Sequence, residues 1–196
     1  MGHGSSEDMK RAFASILLIL FSQPILAEAA PLVLEKNKYS YTFSVPTGWE
    51  FNFEQAHQIG ARLVFFPEGG SFHTSKSIIY INEICKFNCT TSIEVAIQKI
   101  VTRAKNHSPD LKITDDTSLP LKAGGKAIIK VMTGSKDPRQ AKEALAFIEQ
   151  KDVFIMVVLT TKDIGNWDAD YEKFIMVISG HKYFNCDTPD LAINCR

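Results

Sequence analysis

The sequence lacks a net charge, because its 22 lysine and arginine residues are balanced by 22 aspartate and glutamate residues. The basic residues are scattered along the chain and form no stripe. Proteins that bind nucleic acid or an acidic membrane surface concentrate basic residues on one face. The sequence therefore predicts no nucleic-acid partner.

The sequence also lacks an apolar run of the roughly 18 to 20 residues that a membrane-spanning helix needs. Its early apolar segment, Ala12 to Phe21, is short, follows a basic Lys10-Arg11 pair and precedes small residues from Ala27 onward. This order is typical of a secretory signal peptide. We interpret residues 1–8 as a tag or over-extended start, 9–27 as a signal peptide, and 28–196 as one periplasmic or secreted domain without a transmembrane span.

Catalytic motifs are missing as well. There is no Gly-x-Ser-x-Gly elbow, no His-Glu-x-x-His sequence and no phosphate-binding glycine loop. The four histidines after the leader (His57, His73, His107 and His181) are not spaced as metal-ligand pairs, and we expect most of them at the surface. We predict no catalytic residue, no metal ion and no cofactor. A small secreted hydrolase or a thiol oxidoreductase is the alternative from another class.

Cysteines are few but even in number: Cys85, Cys89, Cys186 and Cys195. An even count in an exported chain predicts disulfides. We favour local pairing within each couple, because each couple lies in a polar, turn-rich segment, while cross-pairing between the couples stays open. The three-residue spacer in the first couple differs from thioredoxin-type and usual zinc-binding spacings. Four blocked cysteines would exclude thiol chemistry.

The most apolar segment is the stretch from Lys142 to Thr161. Within it, Val153 to Leu159 contains no polar residue and is β-branched at four of its seven positions. A short, unbroken run of this kind indicates a strand that is buried on both faces. The polar residues Glu149 to Asp152 precede it and predict a hairpin turn. We expect the second arm of this hairpin to be the most buried strand of the protein.

Further strands and two helices are predicted around this hairpin. Alternation predicts a half-buried strand at Tyr39–Val45, and other strands are expected at Ala61–Phe66, Ser77–Ile81, Leu111–Thr114, Leu119–Ala123 and Lys126–Thr133, with Gly124-Gly125 as a two-residue turn.

A capping box from Thr91 to Glu94 predicts a middle helix that ends near Asn106. We expect a C-terminal helix whose apolar residues from Trp167 to Ile178 line one side. It should stop at Gly180 and be followed by a polar tail. These elements predict an α+β fold, an α-β-α sandwich with a mainly antiparallel sheet, one middle helix and one C-terminal helix.

The order of these elements resembles the PsbP-like fold group, which includes DcrB-like bacterial proteins. The residues that carry the likeness are Val45-Pro46-Thr47-Gly48-Trp49, Val64 to Gly69, the Ser92-Ile93-Glu94 helix start, the Gly-Gly hairpin, Glu143 to Ile148, Val157 to Thr160 and the last helix. The resemblance covers nearly the whole mature chain and is strongest to small exported bacterial members.

This resemblance implies a non-enzymatic binding or accessory protein of the bacterial envelope that docks to a protein partner or assembly. No catalytic residue set belongs to the group, and the four cysteines are not part of its pattern. A secreted effector directed at a host is a further alternative.

The segment from Pro67 to Ser77 is the best candidate for a binding loop. It carries Phe72, His73 and Lys76 among glycine and serine residues, and exposed aromatic residues on loops often contact partners. The competing interpretation is that Phe72 packs over the sheet edge beside Trp49, because large apolar side chains prefer burial. We take these four residues as the candidate binding site.

Overall fold

The structure is a computed structural model that describes residues 31–36, 39–86, 92–114 and 117–185, the side chain of residue 139 excepted. The predicted signal peptide, Cys89, Cys186 and Cys195 lie outside these residues. The described chain forms three helices: α1 (Phe53–Gln58), α2 (Ile93–His107) and α3 (Trp167–Ser179).

Two antiparallel sheets accompany the helices. The larger has the order β3-β4-β5-β10-β9-β8-β6, with β7 also pairing with β8, and the smaller has the order β1-β2-β11. The strands are β1 (Leu32–Lys36), β2 (Tyr39–Phe43), β3 (Trp49–Asn52), β4 (Leu63–Pro67), β5 (Ser77–Cys85), β6 (Lys112–Ile113), β7 (Thr117–Pro120), β8 (Lys126–Thr133), β9 (Lys142–Glu149), β10 (Val153–Thr161) and β11 (Lys182–Asn185).

Strand β10 is the centre of the larger sheet, as the apolar run predicts. It pairs with β5 on one side and with β9 on the other. Eight of its nine residues are buried, and only Met156 is partly exposed. A strand with neighbours on both edges and helices on both faces has no side for water, which explains the lack of polar alternation. The predicted hairpin and its central position are confirmed.

One face of the larger sheet, which we call the sealed face, is covered by α3 and by the smaller sheet. Its core joins Ile155 and Val157 of β10 to Phe174 of α3 and to Tyr41 and Phe43 of β2. All five side chains are at most 1% exposed. This continuous cluster is the main core of the protein.

The opposite face, which we call the open face, is covered less completely. Helix α2 packs Ile93 and Ile97 against Phe154 and Val158 of β10. Helix α1 lies over β4 and forms a separate small cluster. Tyr80 of β5 packs against both clusters. The two layers of cover and the sheet between them confirm the predicted sandwich.

Several local predictions differ from the structure. The N-cap of α2 is Ser92, whose Oγ accepts a hydrogen bond from the Val95 N–H, so the capping residue is not Thr91, and the helix continues to His107. Gly124 and Gly125 both have positive φ angles. However, Pro120 pairs with Lys126, so the connection has five residues rather than two.

The smaller sheet was not predicted as a separate unit. Strand β2 is buried at all five positions, including Ser40 and Thr42, instead of exposing its polar side. It lies between β1 and β11, and β11 forms from the start of the segment predicted to be a polar tail. His181, at the entry to β11, is 1% exposed rather than at the surface, because its ring packs 5.0 Å from the Phe43 ring.

Candidate functional site

A cavity of about 280 Å³ opens on the open face, between two loops. We call residues 68–76 the first rim loop and residues 134–141 the second rim loop. The floor of the cavity is made by β5 and the end of β10, and Ile59 follows α1 at its side. Its lining comprises Ile59, Phe72, His73, Ser75, Lys76, Ile78, Tyr80, Asn82, Asp137, Gln140, Thr160 and Lys162.

Two residues of this floor belong to a row of three side chains on the open face. Thr160 of β10 pairs with Ile78 of β5 and with Glu143 of β9. Directly opposed residues in antiparallel strands point to the same face of the sheet. Glu143 therefore lies beside Thr160 on the open face, at a position where β9 otherwise carries the buried Leu145 and Phe147.

The protonation of Glu143 reflects this position. The pKa of Glu143 is raised to about 7, chiefly by burial; a hydrogen bond with Thr160 opposes this rise, and the nearby charge of Asp137 adds to it. The pKa of Tyr80 is also raised, first by burial and then by the charge of Glu143. Glu143 thus changes charge near neutral pH, which is unusual for a carboxyl group.

The first rim loop is held in one shape by its own hydrogen bonds. The Ser71 Oγ lies 2.9 Å from the Thr74 Oγ1 and accepts the Thr74 N–H at 3.1 Å. The Phe72 N–H donates to the Gln55 Oε1 of α1 at 2.7 Å. Gly70 is required here, because a Cβ atom at this position would lie 2.9 Å from the Pro67 carbonyl oxygen. The loop therefore presents its side chains from a fixed backbone.

The second rim loop is fixed in a similar way. Its Lys136 N–H donates to the Oγ of buried Ser108, which follows α2, at 3.1 Å. The Ser135 Oγ accepts the Asp137 N–H at 3.2 Å and donates to the Gln140 Oε1 at 3.1 Å. A 3-10 turn at Pro138–Gln140 closes the loop. Asp137 and Gln140 are thereby placed at the wall of the cavity.

Charged groups at the mouth differ in their partners. The Lys76 Nζ lies 2.8 Å from the Asp163 Oδ2, and this ion pair raises the pKa of Lys76. Lys162 is exposed at the same side. Asn82 anchors the floor, because its amide nitrogen, assigned from its hydrogen bonds, donates to the carbonyl oxygens of Ile81 and Gly60 at 3.2 Å each.

Three of the four predicted binding residues meet at this cavity. Phe72, His73 and Lys76 all contribute to its lining, and the rings of Phe72 and His73 stack edge to face with centroids 5.2 Å apart. Trp49 does not belong to the site. Its side chain is 7% exposed and packs in the core of the sealed face.

The competing interpretation of Phe72 is correct in part. Phe72 is partly buried and packs against the small cluster beneath α1. It does not lie beside Trp49, because Trp49 pairs with Pro67 on the sealed side while Phe72 folds onto the open side. Phe72 is therefore a wall of the cavity rather than a cover for the sheet edge.

Sequence reasoning missed Thr160 and Tyr80 of the floor and Glu143 beside Thr160. Glu143 and Thr160 lie at the ends of the hairpin, whereas the sequence prediction was based on its apolar centre. Alternation along β9 places Glu143, Leu145 and Phe147 on one face, so a carboxyl group at a core-facing position was a readable signal. Tyr80 carried no comparable signal, because an aromatic residue in a strand is ordinary.

A second cavity, of about 490 Å³, lies on the other side of the first rim loop. Its inner wall includes Asp170 of α3, which is 4% exposed. The carboxylate of Asp170 accepts hydrogen bonds from the Ser77 hydroxyl and, at 3.0 Å, from the Asn166 amide. Both carboxylate oxygens are thus occupied in joining α3 to the sheet, which is a structural role.

The cysteines are described only in part. Cys85 ends β5 and is disulfide-bonded, but the other three cysteines are outside the described residues, so local pairing stays a prediction. In the described ranges, no three histidine, cysteine, aspartate or glutamate side chains are grouped to hold a metal ion. No helix there has the length and apolar character of a membrane span.

Comparisons with known proteins give a likeness of fold. No protein-family model matches the chain, and no curated protein matches it. Among solved structures, the fold is similar to members of the PsbP-like group. One is PsbP from the cyanobacterium Synechocystis, at 13% identity and a TM-score of 0.46, covering 85% of this chain and 99% of that chain.

Another is the Ran-binding protein Mog1p of Saccharomyces cerevisiae. It is 10% identical, covers 79% of this chain and 95% of that chain, and gives a TM-score of 0.47. The predicted resemblance is thus confirmed at the level of the fold, and these likenesses carry no argument about function.

Proposed function

We propose that the protein is an exported, non-enzymatic binding or accessory protein of the bacterial envelope that docks to a protein partner through the rim of the cavity. The observation that carries this proposal is the pair of aromatic side chains, Phe72 and His73, on a loop that is fixed by hydrogen bonds beside an open cavity. His73 is exposed, and Phe72 is half-buried.

A fixed rim favours docking for an energetic reason. Association costs conformational freedom, and a loop that is already ordered loses less of it on binding. The bonds of Gln55 to Phe72 and of Ser71 to Thr74 supply that order. A cavity next to exposed aromatic residues can receive an anchoring side chain, which is how interface hot spots are commonly arranged.

Export is part of the proposal and rests on the leader-like segment from Met9 to Ala27. Sequencing the N-terminus of the protein recovered from the periplasm or the medium tests it directly. We expect the mature chain to begin at Glu28. Recovery of the uncleaved chain from the cytoplasm alone would contradict export. A count of free thiols on the same material tests the alternative thiol chemistry, and we expect none.

Docking is tested by placing a photo-cross-linking amino acid at position 73 in cells, with position 151 as the matched control. Lys151 is also exposed but lies in the turn between β9 and β10. We expect a discrete protein adduct from position 73, none of the same mass from position 151, and loss of the adduct when Phe72→Ala is added. The same adducts from both positions, or adducts unaffected by Phe72→Ala, would refute the docking site.

A further inference from the structure

Strand β3 forms one edge of the larger sheet. It pairs with β4 on one side, and no strand of the described residues pairs with its other side. The opposite edge of the sheet is divided between two short strands, β6 and β7, which share β8. An open edge presents backbone N–H and C=O groups to another extended chain. Strand β3 is therefore the place where a further strand can join the sheet.

The register of β3 shows which of its backbone groups point outward. The Glu68 N–H donates to the Gly48 carbonyl oxygen at 3.0 Å, so these two residues form a hydrogen-bonded pair. Such pairs alternate with non-hydrogen-bonded pairs along an antiparallel ladder. Phe51 pairs with Phe65 three positions further on, so this pair is a non-hydrogen-bonded one. The N–H and C=O of Phe51 therefore point away from β4, toward the open edge.

The side chains beside this edge are apolar on one face of the sheet. Phe51 and Phe53 are 40% and 38% exposed, and their rings meet edge to face with centroids 5.6 Å apart. Phe51 lies on the sealed face with Trp49 and Phe65, because directly opposed residues and residues two apart point the same way. An apolar residue of an added strand would remove part of the Phe51 ring from water, which stabilises the pairing.

The other face of this edge is acidic. Glu50 points to the face opposite to Phe51, since successive side chains of a strand alternate. Glu68 falls on the face of Glu50, because it lies two positions after Phe66, the partner of Glu50. Glu54, in the first turn of α1, follows the strand directly. All three carboxyl groups are exposed, and none joins an ion pair within the described part of the chain.

These charges decide which chain fits the edge. Pairing of β3 with β3 of a second copy would bring two sets of carboxyl groups together, and like charges across paired strands are destabilising. A charge on an edge strand is a common protection against such self-pairing. A basic residue opposite Glu50 would be attracted instead. The edge therefore favours a strand in which apolar and basic residues alternate.

We propose that the open edge of β3 binds an extended segment of a partner protein as an added strand, in which apolar residues flank a lysine or arginine. The segment bonds the N–H and C=O of Phe51, its basic residue faces Glu50 and Glu68, and its apolar residues cover the Phe51 ring. Strand addition gives affinity through the main chain and specificity through alternate side chains. Strand β4 separates this edge from the cavity floor, so the inference goes beyond docking at the rim.

A blocked heptapeptide in which valine alternates with lysine is a suitable probe. The matched peptide has glutamate in place of each lysine, and a third peptide is the lysine peptide with N-methylated backbone amides. In NMR titrations of the full mature protein, we expect the lysine peptide to shift the amide signals of residues 49–52. The glutamate peptide should bind about tenfold more weakly, and the methylated peptide should not bind. Equal binding of the lysine and glutamate peptides, or binding that survives methylation, would overturn the proposal.

Charge reversal on the protein tests the acidic face. Glu50→Lys should weaken binding of the lysine peptide by about tenfold and strengthen binding of the glutamate peptide by a similar factor. Glu35→Lys is the matched control, because Glu35 is exposed on β1, an edge of the smaller sheet, and the net charge changes equally. Equal effects of the two variants would mean that net charge alone governs binding, which would refute the site.

The backbone of Phe51 is tested by Phe51→Pro. Proline removes the outward N–H without removing a bond of the β3–β4 ladder, so we expect binding of the lysine peptide to be lost. Phe51→Val keeps the N–H and a β-branched apolar side chain, and it should retain binding. Equal binding by the two variants would place the peptide elsewhere. If Phe51→Pro fails to fold, the methylated peptide decides the question on the unaltered protein.

Sedimentation of the protein alone tests the alternative occupant. We expect a monomer at the concentration of the NMR titrations, whereas a dimer that Phe51→Pro dissociates would show that a second copy fills the edge. The cross-linking experiment at position 73 is independent of these tests. A protein that cross-links a partner there but ignores the lysine peptide would keep the docking rim and lose the proposed edge site.

Discussion

The sealed and open faces of the larger sheet are built from alternate residues of the same strands, yet one of them is covered more completely than the other. Along β10, Ile155, Val157 and Leu159 face α3 and the smaller sheet, while Phe154 and Val158 face α2. Both sets are equally apolar. The difference arises at the end of the strand, where the two faces carry adjacent threonines with different surroundings.

Thr161 and Thr160 show what that difference consists of. On the sealed face the Thr161 Oγ1 lies 2.6 Å from the Ser77 Oγ, which donates to Asp170 of α3. On the open face Thr160 bonds Glu143 and lines a cavity. The sealed face thus joins its polar strand end to helix α3, at a junction that the second cavity borders, whereas on the open face the polar strand end lines the cavity between the rim loops. The comparison leads to four predictions.

The largest effect is expected from truncating the sealed core. Phe174 of α3 is 0% exposed, so Phe174→Ala should lower the free energy of unfolding by about 3–5 kcal/mol. Phe72→Ala, at the rim of the open cavity, is the matched control and should cost about 1 kcal/mol. Urea denaturation measures both. Similar losses for the two variants would mean that the open side is packed as tightly as the sealed side.

The second prediction compares how two titratable groups, one on each face, make stability depend on pH. Burial lowers the pKa of His181 to about 4, against a smaller opposite influence of the Thr42 backbone. The Gln150 Nε2 lies 3.0 Å from the His181 Nε2, and an amide nitrogen can only donate, so the ring is neutral. The unfolded chain binds a proton on this histidine from pH 6.5 downward, so stability falls as pH is lowered from 6.5 to 4, by up to about 3 kcal/mol.

Glu143 has the opposite effect on how stability changes with pH. Its pKa of about 7 is above the unfolded value, so its contribution is present below pH 4.5 and is lost as pH rises through 7, again by up to about 3 kcal/mol. The two slopes oppose each other in the unaltered protein. We expect the free energy of unfolding, measured from pH 4.5 to 6.5, to fall with rising pH in His181→Phe. In Glu143→Gln it should instead rise with pH. If stability changed with pH in the same direction in both variants, His181 and Glu143 would not have opposite effects.

The third prediction compares the two threonines directly. Thr161→Val removes the partner of Ser77 and of the Asp163 N–H, which donates to Thr161 at 3.0 Å. Leaving buried groups unsatisfied should cost about 1–3 kcal/mol. Thr160→Val, beside the cavity, should cost less, because Glu143 can take up a proton and water can reach the site. Thermal unfolding at constant pH tests the order, and a larger loss for Thr160→Val would reverse our interpretation.

The smallest effect concerns the attachment of the smaller sheet to the larger one. Glu83 of β5 accepts hydrogen bonds from Lys36 at 2.7 Å, Tyr41 at 2.9 Å and Arg62 at 2.8 Å. Burial opposes ionisation, but these partners lower the pKa of Glu83. Glu83→Gln should cost about 1 kcal/mol, and less in high salt. The control is Glu35→Gln, because Glu35 is an exposed residue on β1. An equal loss of stability in Glu35→Gln would argue against attachment of the smaller sheet through Glu83.

Much of the fold could be predicted from the sequence because it depends on local periodicity. The run from Val153 to Leu159 is apolar at every position, and its short length and β-branched residues favour a strand covered on both faces over a buried helix segment. The hairpin before it and the helix ended by Gly180 follow from turn and cap chemistry over a few residues. By contrast, β11 has an unremarkable sequence and forms because β2 offers it an edge.

The sequence by itself determined the central strand, the two amphipathic helices and the loop that carries Phe72, His73 and Lys76, since each depends on neighbours within about a helix or strand length. Only the tertiary structure decided that this loop faces Asp137 and Thr160 across a cavity, that Glu143 is buried beside them, and that Trp49 is not. Those relations depend on the order in which β5, β10 and β9 pair. That order is set by the packing of the whole chain, because residues far apart in sequence become neighbours only when both faces of the sheet find their cover.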